Sequence, residues 1–236
     1  MIDAVALPDH LVDDQLAGKI AVVIDVLRAT TTIVEALGHG ARSVVPVASV
    51  GGARIMAHDR DGALLCGERG GVKPDGFSLG NSPLEYSGDV VGGLDCVLTT
   101  TNGTRALHMS TEGDEVLVGA ITNVDALCER IRGDGRDVVL VCSGTDGRVS
   151  FEDCLGAGVI VDRLGYQASD NAAMMFHAME GAATRFGGLR YAVESSFHAK
   201  RLIELGFGDD VAFACQIGTS SIVPVFDSGI GEILAD

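Results

Sequence analysis

The stretch KIAVVIDVLRATTTIVEAL, residues 19–37, decides the fold class. Its first eight residues form an apolar, β-branched run that reads as a strand. Asp25 stands near the end of that run, and after a short turn the apolar positions of 31–37 fall at helical spacing. The same order of strand, Thr/Ser/Gly/Arg turn and helix recurs in VLTTTNGTRALHM (97–109) and in VVLVCSGTDGRVSFEDCLGAG (138–158). The first and third examples look like weak internal duplicates.

Outward from this stretch, further strands are predicted at 43–47, 63–66, 96–100, 115–118, 137–142, 211–217 and 222–226. Helices are predicted at 52–59, 104–109, 124–131, 152–164, 170–186 and 195–205. Alternation of this kind implies a three-layer α/β/α fold, a mostly parallel or mixed sheet with helices on both faces. No Pro/Ser-rich linker interrupts the chain, so 1–236 reads as one domain, with two weakly similar halves at about 1–120 and 121–236.

Composition narrows the partners. Apolar residues make up 47% of 236 residues, enough for a sizeable core. Seventeen Lys and Arg against 33 Asp and Glu give a net charge of −16, the wrong sign for a nucleic-acid binder. The acids are mostly Asp (22, against 11 Glu), and the cations include only three lysines, a balance suited to a high-salt cytoplasm or to an ordinary acidic cytosolic protein. The six cysteines contain no C-x-x-C pair and the six histidines no zinc spacing. An N-terminus carrying Asp3, Asp9, Asp13 and Asp14 is unlike a signal peptide, and no 18-residue apolar run could span a membrane. The expectation is a cytoplasmic protein, with a homodimer as the default assembly.

The turns carry the chemistry. In open α/β sheets ligands bind where strand C-terminal ends meet helix N-termini, which offer unpaired N–H donors to anions. Each of the three turns adds an arginine: Arg28, Arg105 and Arg148. The Gly-rich stretch GERGGVKPDGFSLGNSP (67–83) adds Arg69 and Lys73. Five cations in the loops of an acidic protein point to a small substrate with several negative charges. Asp25, Glu68, Glu152 and Asp153 accompany them, hard oxygen donors of the kind Mg²⁺ takes together with substrate phosphate. Ser150–Asp153 also reads as a capping box, and Asp25 as a cap. Cys142 and Arg148 fit C-x₅-R, the spacing of a cysteine-nucleophile phosphatase, although Asp146 inside that loop would repel phosphate.

Taken together, IDVLRATTTI (24–33), GERGGVKPDGFSLGNSP (67–83), TTTNGTRAL (99–107) and CSGTDGRVSFEDCLGAG (142–158) resemble the 2-phosphosulfolactate phosphatase family over roughly residues 20–165. The resemblance implies a Mg²⁺-dependent hydrolase converting 2-phospho-3-sulfolactate to sulfolactate and phosphate, a step toward coenzyme M in methanogens. In a salt-loving host without methanogenesis the substrate would be another phosphorylated acid. Carried over by position, Asp25, Arg148 and Glu152 are catalytic. Arg28, Arg69, Lys73, Asn102, Thr104, Arg105 and Ser143 bind substrate, and Asp25, Glu68, Glu152 and Asp153 hold the metal. Asp25 as metal ligand with an activated water, Asp25 as nucleophile, a Cys142 mechanism, and a non-catalytic binder of phosphorylated metabolites all remain open at this level.

Overall fold

The computed structural model describes residues 1–236. Its strands are β1 (Ile2–Val5), β2 (Ile20–Ile24), β3 (Ser43–Pro46), β4 (Leu64–Gly67), β5 (Asp95–Thr99), β6 (Glu115–Gly119), β7 (Val138–Cys142), β8 (Pro224–Asp227) and β9 (Glu232–Ala235). The helices are α1 (Ala29–Gly38), α2 (Val50–His58), α3 (Gly88–Val91), α4 (Gly103–Met109), α5 (Val124–Asp134), α6 (Phe151–Leu164), α7 (Asp170–Phe186), α8 (Leu189–Glu194), α9 (Phe197–Glu204) and α10 (Gly208–Ala214). No helix is long and apolar enough to cross a membrane.

All nine strands join one sheet in the order β1-β7-β2-β6-β8-β9-β3-β5-β4. Strands from before and after residue 120 therefore interleave. Every residue of β2, β5 and β7 is buried, as expected where both faces of a sheet are covered. Ile20, Val22 and Ile24 enter one core with Leu127 of α5, Ile160 of α6 and Met175 of α7. Ala21 and Val23 enter the other with Ile33 and Leu37 of α1 and Leu107 of α4. The fold is the expected three-layer α/β/α arrangement on a mixed sheet.

The mixture has a consequence for the site. β1, β7, β2 and β6 pair in parallel, and so do β3, β5 and β4, but the hairpin β8–β9 between the blocks pairs antiparallel on both sides. The second block therefore runs against the first, and in a flat sheet their C-terminal ends would face opposite edges. Strand twist accumulating over the five steps from β2 to β5 turns the second block away from that flat arrangement. The segments following β2, β4, β5 and β7 line one hollow.

One predicted strand is a helix. Residues 211–217 were expected to be extended, but Gly208–Ala214 is α10. Val211 and Ala214 are buried and the two residues between them only partly so, a helical period that a short apolar run does not disclose. Asp209 and Asp210 occupy its first turn, where acids favour a helix. The terminal strands β1 and β9, four residues each, gave too little pattern to be predicted.

Close packing of α6 on α7 rests on a glycine. A Cβ on Gly158 would lie 2.5 Å from the Met175 carbonyl oxygen and 2.6 Å from Met179 Cβ. Gly158→Ala is expected to lower stability by about 2 kcal/mol although alanine is the better helix former. Gly181→Ala in α7, with nothing within 4 Å, is expected to raise it by about 0.5–1 kcal/mol. Urea unfolding of the two variants checks the pair of signs.

Candidate active site

The loop after β2 is fixed by the three threonines that open α1. Thr30 Oγ1 donates to the Asp25 carbonyl (2.8 Å), Thr31 Oγ1 to the Val26 carbonyl (2.9 Å) and Thr32 Oγ1 to the Asn81 carbonyl (2.9 Å). All three hydroxyls are buried, so each must find an acceptor, and here each finds a backbone carbonyl. The Ala29 N–H donates to Asp25 Oδ1 at 3.2 Å. Asp25 is thereby held at the sheet edge with its carboxylate turned into the hollow.

Asp153, in the first turn of α6, joins two strand ends. Its Oδ1 accepts the Val26 N–H (2.9 Å), and its Oδ2 accepts the Gly144 N–H (3.0 Å) and the Ser143 hydroxyl (3.2 Å). Glu68, just past β4, joins two more: Oε2 accepts the Gly71 N–H (2.7 Å) and Oε1 the Thr101 N–H (2.8 Å). Glu152 differs from both. It is buried, accepts no hydrogen bond from the protein, and faces a neighbouring hollow.

These acids perturb one another. Burial, then the nearby Glu68 and Glu152 carboxylates, push Asp25 up to about 7, against the donors from Ala29 and Ser143. Burial, Asp25 and Glu152 likewise push Asp153 well above the carboxylate range. Buried acids raised in this way, chiefly by burial and then by one another, are a common mark of a functional site. The donors are hard oxygens, with no His or Cys among them, which suits Mg²⁺. No three acids, histidines or cysteines are grouped so as to hold a metal ion, so Asp25, Glu68, Glu152 and Asp153 do not form the common ligand set expected from the sequence.

The motif cations are placed unevenly. Arg28 is buried: Nη1 pairs with Asp210 Oδ2 (2.7 Å), Nη2 donates to the Gly71 carbonyl (2.7 Å), and the guanidinium lies 4.1 Å from the centre of the Phe207 ring. Ser82 Oγ donates to the other Asp210 oxygen at 2.7 Å. Arg69 braces the Glu68 and Ala48 carbonyls and Thr99 Oγ1. Arg105 makes a two-pronged pair with Asp9 at the surface. Lys73 is exposed and outside the hollows, its Nζ 3.4 Å from the Ser78 carbonyl. Arg148 is exposed and its side chain makes no hydrogen bond.

The hollows are contiguous. Asp25, Arg28, Glu68 and Asn102 line the first; Arg148 and Glu152 line the second; Asn102, Arg105 and Ser143 line the third. Asp146 borders all three. Thr104 lies outside them and bonds back to Thr100. Sequence reasoning missed His198 and Arg201 of α9 and Asn81, which also line the first hollow. Asn81 Oδ1 and His198 Nδ1 are buried there without a partner, while His198 Nε2 donates to the Leu27 carbonyl at 3.1 Å. Asn81 lies in a quoted motif and was visible in principle; nothing local marks a histidine and an arginine three apart on a helix.

The C-x₅-R loop is not a phosphate cradle. Thr145 and Arg148 exchange backbone hydrogen bonds across Asp146 and Gly147, both at positive φ, so the loop is a tight Asp-Gly turn projecting outward. Cys142 is fully buried in the core, and its neighbour Cys154 and burial push its thiol well above the usual value. No thiolate faces the cleft.

A family model described as 2-phosphosulpholactate phosphatase matches residues 5–229, well beyond the 20–165 span of the motifs. A protein of Thermotoga maritima named probable 2-phosphosulfolactate phosphatase is 41% identical over 231 residues, covering 98% of this chain and 97% of its own. Proteins of the same name from Carboxydothermus hydrogenoformans (40%, covering 94% and 92%) and Clostridium acetobutylicum (37%, covering 99% of each) align equally fully. With its four motif loops gathered on one cleft and this similarity along nearly its whole length, the chain belongs to the 2-phosphosulpholactate phosphatase family, enzymes that hydrolyse phosphoric monoesters.

Proposed function

We propose that this enzyme hydrolyses the phosphate ester of 2-phospho-3-sulfolactate, or of a similarly small phosphorylated acid, in the cytoplasm with Mg²⁺ held by Asp25 and Glu152. The observation that carries the reading is buried Asp25, which lines one hollow with Glu68 and feels the charge of Glu152 lining the adjoining one, in a chain whose relatives bear that substrate's name. Glu68 and Asp153 have their oxygens turned to backbone amides, so they shape the site and add negative charge to it. Asp25 and Glu152 keep oxygen free for a cation. Mg²⁺ bound there supplies charge neutralisation and polarises the phosphoryl oxygens.

The chain's own residues do the positioning. The Ala29 N–H and the threonine bonds aim Asp25, and Asn102 Oδ1 receives the Asp146 N–H (3.1 Å) to tie two of the loops together. Arg148, unengaged beside Glu152, is placed to neutralise charge that develops on the phosphoryl group, where fixed electrostatics does most of the catalytic work. A cysteine mechanism lacks a thiolate in the cleft. A non-catalytic binder would have no use for buried acids that repel the anion it binds.

EDTA is expected to abolish phosphate release and added Mg²⁺ to restore it. Full activity after exhaustive chelation would sink the metal reading. Cys142→Ser, compared as folded protein, is expected to keep activity within about tenfold, roughly 1.4 kcal/mol of barrier, and Asp25→Asn to lose about 10³-fold.

Asp25→Asn also makes a prediction about stability. Asp25 holds its proton more tightly folded than unfolded, so its contribution to stability is full below about pH 4 and is lost as pH rises through about 7. In EDTA at pH 8 Asp25→Asn is therefore expected to be the more stable protein, by on the order of 4 kcal/mol. Mg²⁺ is expected to raise the melting temperature of the wild type and much less that of the variant, as thermal melts with and without the ion would record.

A further inference from the structure

We propose that Arg201 of α9, a residue outside all four motifs, is the specificity-determining residue that holds the sulfonate of the substrate at the mouth of the Asp25 hollow. The inference rests on the function proposed above and assigns part of the substrate to a side chain. Its starting point is the charge around the hollow. Asp25, Glu68 and Asp146 line it as acids, Arg28 and Arg201 as cations. Arg28 is already neutralised by Asp210 at 2.7 Å and fixed by Gly71 and Phe207. Arg201 is the lining cation whose charge is not spent.

Its contacts are loose. The guanidinium reaches the Gly70 carbonyl at 3.3 Å and Asp146 Oδ2 at 3.6 Å, and the side chain is 44% exposed. The backbone beneath it is not loose. Ser196 caps α9 through the Ala199 N–H, His198 bonds the Leu27 carbonyl, and Leu202 is buried in the core. A fixed Cα carrying a half-exposed, weakly engaged head suits a residue that takes up a ligand. Asp146, on its tight turn, presents the long contact that a stronger anion would replace.

The chemistry of the substrate selects the group. Phosphate belongs beside Asp25 and Glu152, deep in the cleft. The sulfonate stands one carbon farther from the ester than the carboxylate does, so it is the group that extends toward the mouth. It stays ionised at every working pH, and an arginine fork matches its oxygens.

The test compares kcat/KM for 2-phospho-3-sulfolactate and for 2-phospholactate, which lacks the sulfonate, by phosphate release. The wild type is expected to prefer the sulfonated ester. Arg201→Gln is expected to cut that preference at least about tenfold, through KM more than kcat because the contact is remote from the reacting bond. Arg201→Lys should recover part of it. Arg190→Gln, which removes a surface pair with Glu194, should leave the preference unchanged.

Equal losses on both esters would overturn the assignment, since a structural or phosphate-binding role predicts them. So would a preference that survives in Arg201→Gln, or a wild type with none. If the wild type cleaves neither ester, the proposed function fails, and calorimetric binding of sulfolactate decides this inference separately. Weaker binding to Arg201→Gln than to wild type supports it, and equal binding, or none to either, overturns it.

Discussion

The Asp153 carboxylate, gripped by the Val26 and Gly144 amides and the Ser143 hydroxyl, is the contact on which the rest of the site depends. A carboxylate this deep loses its hydration, and only donors aimed at it make its burial tolerable. Two amides, a hydroxyl and the positive end of α6 provide them. In return Asp153 fixes the ends of β2 and β7 against the first turn of α6. That geometry sets Asp25 and Glu152 close together, where neither would choose to be. The Glu152 charge adds to burial in raising the Asp25 carboxyl, and the cation proposed above would offset both.

The same economy governs the arginines. Arg28 looks like a substrate ligand in the sequence, but its fork closes on Asp210 and Gly71. Buried pairs of this kind add little net stability over an apolar substitute, yet breaking one strands a charge in the interior. Their value lies in position: Arg28 ties the loop after β2 to the Gly-rich loop and to α10. Arg69 and Arg105 do similar service at the Thr99 and Asp9 ends. Most motif cations thus hold loops in place, leaving Arg148 and Arg201 as the less committed charges.

How far this was legible from sequence differs by feature. The central strands were, because residues 19–26 and 137–142 are apolar runs that only a doubly covered sheet accommodates. The loops that build the cleft were, because Gly, Thr and Arg cluster at the strand ends. The reversal of the second strand block was not, since it depends on a hairpin that meets its neighbours through few residues. Residues 211–217 misled because a short, nearly all-apolar run of seven residues fits either period. The partners of Arg28 and Arg105 lie 182 and 96 residues away, so their residue types were visible and their employment was not. His198 and Arg201 had no local signature; only the tertiary placement of α9 brings them to Asp25.

The overall charge makes those few uncommitted cations matter more. At −16 the protein as a whole repels the trianionic substrate proposed for it. Over distances beyond about 8 Å at physiological ionic strength, and about 3 Å in molar salt, that repulsion is screened away. Capture then depends on contacts inside the cleft rather than on steering from afar. The cleft carries buried acids as well as arginines, so under the proposed function its affinity for polyanions would depend on the cation those acids gather. An ordinary anion-binding loop would have been lined with donors alone. Under the proposed function, carboxylates stand where a phosphate must sit because a divalent ion would come between them, and the acids, more than the arginines, carry that proposal.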